Sequence, residues 1–229
     1  MPINYVNPTW FYGIDTLFEV ISLMVAFLVG YFGYKAYKLT NDKKYLYFAS
    51  AFFIISVSFF IKIITNVVVE YQTVRQMVYG LLVVTMYTTK RFDLLYWYGL
   101  ILYKMLMISA LIIIFLLSAR IKDAKIALLL FYFAFLASVF SHYSYYVYHT
   151  TSAFLFAMIA YCHSKNSRIK KIKKRGSANF VNVSFILLFL SQISFIFISV
   201  HDSFYVIGEI IQLTGYLFLL YAFILVLKK

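Results

Sequence analysis

Ionisable side chains set inside long apolar runs are the residues of this sequence with the most chemistry to offer. A charge at membrane depth is costly unless it is paired, turned inward or wetted. Asp15 and Glu19 stand four apart and share one face of a helix. Lys62 lies on a stripe with Ser58, Thr65 and Asn66, and Lys104 lies inside the next apolar run. Glu209, Gln212 and Tyr216 follow one another down one face of the last run. His149 is one turn into another run, His142 stands at the turn before it, and His201 with Asp202 forms the turn before the last. Two acids and two lysines offset each other's burial only if they meet, so Glu19, Lys62, Lys104 and Glu209 are expected to converge. Three outcomes are open. Asp15, Glu19, Lys62, Lys104, His149, Glu209 and Gln212 would line a polar ligand pocket, or the Lys–Glu pairs would close on each other and hold helices in register, or the charged ends would snorkel to the membrane surface.

Metal chemistry is a weaker reading. Imidazole and carboxylate at His142, His149, His201 and Asp202 are ligand types that suit zinc. The sequence has no HExxH, no CxxC and no two histidines at ligand spacing on one helix. A bis-histidine haem is not supported either, because His163 has no histidine partner at its depth. No Gly-rich phosphate loop appears, and no lysine precedes Lys228 in the last run to carry a retinal-type Schiff base. No catalytic residue and no cofactor is expected, and the chain is read as a non-enzyme.

The elements that must position these residues are membrane helices. Of 229 residues, 64% are hydrophobic and 13% charged, and mean hydropathy is +0.86. A soluble domain is about half apolar and about a quarter charged. The apolar runs are continuous and near the roughly 20 residues a helix needs to cross a bilayer, not alternating strands. Seven runs cover about 11–37, 45–69, 94–118, 126–141, 145–163, 179–200 and 204–227. The expected fold is therefore all-α: a polytopic bundle of seven transmembrane helices, one domain over 1–229, in the cell membrane. The segment 74–87 is short between polar flanks, and Val74, Met77, Val78 and Leu81 share a face, so it reads as an interfacial helix.

The stretch 164–176 sets the orientation. It carries Lys165, Arg168, Lys170, Lys171, Lys173, Lys174 and Arg175 and no acid. With the other connections on its side it brings 16 basic residues to one face of the membrane, against 3 on the opposite face. The positive-inside rule then places the N-terminus outside and the C-terminus in the cytoplasm. Trp10, Tyr12, Tyr96, Trp97, Tyr98, Tyr143, Tyr145, Tyr146 and Tyr148 cluster toward the outer ends, as in an aromatic belt at a headgroup boundary. The net charge of +13 is explained by topology and by anionic lipid headgroups at 164–176, not by nucleic acid. Cys162 is the one cysteine, so no internal disulfide forms. No basic region precedes an early apolar stretch, and a cleaved signal peptide is not expected. Gly208 and Gly215, and the face of Ser184, Ser191 and Ser194, read first as close helix packing.

Two stretches, YKAYKLTNDKKYLYFASAFFIISVSF and FYVIGEIIQLTGYLFLLYAFILVLKK, resemble small prokaryotic seven-helix membrane modules that serve as the membrane-embedded sensor regions of signalling proteins. Modules of that kind precede histidine kinase or cyclic-nucleotide output domains. The resemblance implies an outward-facing sensor. No output domain follows in this sequence, so a separate cytoplasmic or membrane protein partner is expected, engaged through the basic stretch. The reading is thus a sensor- or receptor-like module with a ligand in its outer half. Its rivals are a structural or accessory subunit of a membrane complex, and a transporter or metal-dependent membrane enzyme. Transport would call for broken helices or an inverted repeat. The only prolines are Pro2 and Pro8, ahead of the first run, and no internal repeat is visible.

Overall fold

Long apolar runs bounded by short polar turns leave the backbone one economical solution, a helix that satisfies its own hydrogen bonds. A computed structural model of the protein describes residues 11, 13–79, 89–141, 143–169 and 175–227, with side chains described there except over 68–79, 89–95, 167–169, 175–178 and 226–227. Among the described residues there are seven α-helices: α1 Ile14–Thr40, α2 Lys43–Tyr79, α3 Thr89–Ala119, α4 Ala124–Phe140, α5 Tyr145–Ile169, α6 Arg175–Ile196 and α7 Ser203–Leu227. A single 3-10 turn, Phe197–Ser199, follows α6.

The helix ends have local causes. Gly13 opens α1 at φ 86°, a conformation that side chains with a Cβ rarely adopt. Asp15 Oδ1 then accepts from the N–H groups of Gly13 and Thr16 at 3.0 and 2.8 Å. Asn41 closes α1 in the left-handed region at φ 53°, its N–H donating to the Tyr37 carbonyl. Asp42 accepts from the Lys44 N–H at the start of α2, and Asp123 caps α4 by accepting from the Lys125 N–H at 2.8 Å. His201 Nδ1 accepts from the Ser203 N–H as α7 begins.

The helices α1, α2, α3, α5, α6 and α7 form a closed ring, each packed on the next and α7 returning to α1. Helix α4 stands outside the ring against α3 and α5, with Ala134 and Ser138 as its buried residues. Its excursion is why α3 and α5 run parallel, while the other sequential neighbours run antiparallel. The end at which α1, α3, α5 and α7 begin is called the head below, and the opposite end the base. Val29, Phe52, Ile55, Leu111, Ile114, Ile159 and Leu219 fill the ring toward the base. The outer surface is also apolar, with Met24, Phe27, Leu128, Phe133, Phe154, Leu190 and Leu217 exposed. A bundle apolar on both sides belongs in lipid rather than in water.

Five helical segments are long and apolar enough to cross a membrane: Ile14–Thr40, Lys43–Val67, Tyr96–Ala119, Asn179–Ser199 and Ser203–Leu225. Helix α4 is apolar but 17 residues long. Helix α5 has 25 residues but carries Tyr145, Tyr146, Tyr148, His149, Thr150, Thr151 and Ser152 in its first turns. The protein is thus an all-helical bundle with several membrane-compatible helices.

The boundaries differ from the sequence reading in four places, one being α3, which starts at Thr89 rather than near 94. Helix α2 does not stop near 69 but continues to Tyr79, so the first part of the expected interfacial helix prolongs α2. The rest of that segment, 80–87, lies outside the described residues. Helix α5 runs on to Ile169 and α6 starts at Arg175, so much of the basic stretch continues helices. Lys165 there is exposed, and Arg168 and Arg175 are helical with side chains not described. Lys170, Lys171, Lys173 and Lys174 lie outside the described residues.

Candidate functional site

The face of α1 that carries Asp15, Glu19 and Ser22 is turned into the ring, and Glu19 is 1% exposed. On α2, antiparallel to α1, Lys62 and Asn66 stand one turn apart and both reach Glu19. Lys62 Nζ lies 2.8 Å from Glu19 Oε1. Asn66 Nδ2 donates to Oε1 and Oε2 of the same carboxylate at 3.0 and 3.1 Å. From α7, Glu209 brings Oε1 to 3.4 Å from Lys62 Nζ. Glu209 is 2% exposed, and among the described residues no hydrogen bond reaches its Oε2. One ammonium is therefore shared unequally by two buried carboxylates from the first and last helices.

Aromatic rings and hydroxyls enclose the cluster. Lys62 Nζ sits 5.6 Å from the centre of the Tyr103 ring, a cation–π distance. The hydroxyls of Tyr103 on α3 and Tyr148 on α5 are 3.0 Å apart. Tyr216, one turn beyond Gln212 on α7, packs edge-on against Phe59. Beside this lies a second polar chain. His149 Nδ1 is 2.9 Å from Gln192 Oε1, and Gln192 Nε2 donates to Gln212 Oε1 at 3.4 Å. The two networks draw side chains from all six helices of the ring.

Three of the four charges expected to converge do so, and Lys104 does not. Its ammonium donates to the Ser141 carbonyl at 3.2 Å, at the end of α4, and lies 5.7 Å from the Tyr148 ring centre. The reason is geometric: residues 103 and 104 are about 100° apart on α3. Tyr103 points into the ring, so Lys104 is turned toward α4. Asp15 is buried in the first turn of α1. Of the proposed metal ligands, His149 is bonded to Gln192, His201 is exposed and caps α7, Asp202 is half-buried beside it, and His142 lies outside the described residues. No group of three His, Cys, Asp or Glu side chains with metal-site geometry occurs among the described residues.

Tyr148 was expected in the headgroup belt and is instead 4% exposed inside the ring, where its hydroxyl has a partner. Tyr103 and Gln192 were not anticipated as site residues at all. One tyrosine among 22 has no distinguishing pattern. Gln192 did have one, since it follows Ser191 on the small-residue face of α6. That face is used for close packing. A Cβ at Gly208 would meet Phe195 at 2.6 Å and one at Gly215 would meet Leu188 at 2.9 Å. Ser184, Ser191 and Ser194 all donate to carbonyls of their own helix.

Comparison with family models, curated proteins and solved structures finds no match to this chain. The functional reading therefore rests on the site itself. The cluster can hold charge, exchange a proton or meet a cation, and it ties α7 to the α1–α2 pair.

Proposed function

We propose that the protein is a non-enzymatic seven-helix module of the cell membrane, sensor- or receptor-like, with its N-terminus outside and its C-terminus in the cytoplasm. In this reading the head of the bundle is the outer half, and a ligand or partner acts there on the Glu19–Lys62–Glu209 cluster. The response passes along α7 and the α1–α2 pair to the base. There the stretch 164–176 meets anionic headgroups and a cytoplasmic partner. The observation that carries the reading is the unequal sharing of Lys62 between Glu19 at 2.8 Å and Glu209 at 3.4 Å. A shared ion is a contact that can be redistributed, and redistribution changes how α7 is held.

Two measurements test it. A cysteine at position 172 should react with an impermeant label only from the cytoplasm, and one at position 3 only from outside; the reverse pattern overturns the orientation. Spin labels at Leu39 and Tyr221, both exposed toward the base, would be placed in a Cys162→Ser background. Their distance distribution should shift when Lys62 is replaced by Met. An unchanged distribution favours the rival reading, an accessory subunit whose buried ion pair only pins helices. The near-complete burial of Glu19 and Glu209 is what favours that rival.

A further inference from the structure

The two carboxylates that share Lys62 are not equivalent. Glu19 accepts from Lys62 and twice from Asn66, so both of its oxygens are engaged. Among the described residues Glu209 receives only the longer contact, on one oxygen, from an ammonium already committed to Glu19. Among the described residues, the charged and titratable groups around Glu209 come from five helices. Helix α1 offers Asp15 and Glu19, and α2 offers Lys62. Helix α3 offers Tyr103, and α5 offers Tyr148 and His149. Helix α7 itself offers Tyr205 and Tyr216. Helix α6 has no titratable side chain over 179–196 and contributes Gln192. Among the described residues Lys62 is the one cation that reaches the two glutamates, and Lys104 donates to the Ser141 carbonyl instead. Counted over the described residues, the site is one positive charge short of its two glutamates, in surroundings where an unpaired carboxylate is expensive.

We infer that Glu209 is a proton-binding site: its Oε2 takes up and releases one proton, and the proton is the ligand of the head cluster. The choice among cations follows from space. Glu209 is 2% exposed and Glu19 is 1% exposed, so neither carboxylate has open space beside it for an alkali ion or an amine, whereas a proton needs none. The step is a single transfer. A proton delivered from water forms the O–H bond on Glu209, and Lys62 passes wholly to Glu19. Release of that proton restores the shared ammonium and draws α7 back toward α2. The inference rests on the sensor reading above and names its ligand.

The test is infrared difference spectroscopy on the protein in lipid nanodiscs, titrated from about pH 9 to about pH 6, above the range in which exposed carboxylates take up protons. A protonated-carboxyl band should grow as the pH falls. It should be absent from Glu209→Gln, present in Asp15→Asn, and present with an altered frequency in Glu209→Asp. The double variant Glu19→Gln/Lys62→Met leaves Glu209 without its cation, and its band should no longer depend on pH. The double variant keeps the inference testable if Glu209→Gln does not fold. A band that survives in Glu209→Gln, or is absent from the unaltered protein, overturns the proton site. The spin-label distance separates the two readings. A shift without the band means that the cluster answers to something other than a proton. A band without a shift means a proton site with no coupling to the base.

Discussion

The head of the six-helix ring is held by directed contacts and the base by shape. At the head, Glu19, Lys62, Asn66 and Glu209 exchange charge and hydrogen bonds, and His149, Gln192 and Gln212 form a chain beside them. At the base, Phe52, Ile55, Leu111, Ile159 and Leu219 interlock with almost no exposure. Between helices in lipid there is little hydrophobic drive, because the tails are as apolar as leucine. Apolar packing then adds dispersion but says little about which helix is whose neighbour. Ion pairs and amide bonds do say so, since each leaves a buried polar group stranded if the wrong helix arrives. The head thus selects the arrangement of the ring, and the base makes it dense.

The largest effect should come from breaking the head at its shared cation. Lys62→Met leaves two carboxylates buried without an ammonium and should cost about 3–5 kcal/mol of unfolding free energy. Adding Glu19→Gln to Lys62→Met should return part of that loss, because a lone buried charge is worse than none. Strictly additive single and double variants in a detergent unfolding titration would end the claim that the pair acts as a unit. A cavity at the base should matter less. Leu219→Ala should cost about 2 kcal/mol, the low end for a buried leucine, because lipid also solvates apolar surface. If it costs more than Lys62→Met in the same titration, the base and not the head selects the fold. The smallest effect should belong to the other interior lysine. Lys104→Met loses one carbonyl contact and one aromatic face, and should cost about 1 kcal/mol. A loss matching that of Lys62→Met would place Lys104 in the charge cluster after all.

The two lysines also show where sequence reasoning stops. Both lie inside apolar runs, and both invite pairing with an acid. The depth of each was legible, because residue count along a helix converts directly to height. The direction was not. Lys104 faces α4 only because α4 leaves the ring and lays its end against α3. The one-turn spacing of Lys62 and Asn66 was visible as a stripe, but that both would serve the same carboxylate was not.

Composition and run length by themselves determined that this chain is all helical and suited to lipid. They also determined which residues are costly enough at depth to need partners, because desolvation of a charge depends on its surroundings and not on its neighbours' identity. Only the tertiary structure decided that α4 stands outside a ring of six and that Lys62 is divided between Glu19 and Glu209. It alone decided that Tyr148 is an interior residue rather than a belt residue. Those outcomes depend on the rotation of each helix about its axis and on its neighbours in the ring. Polar stripes mark the inward side of α1, α2 and α7, but on α3 and α5 the runs hold no such stripe and hydrophobic periodicity does not mark which side turns inward.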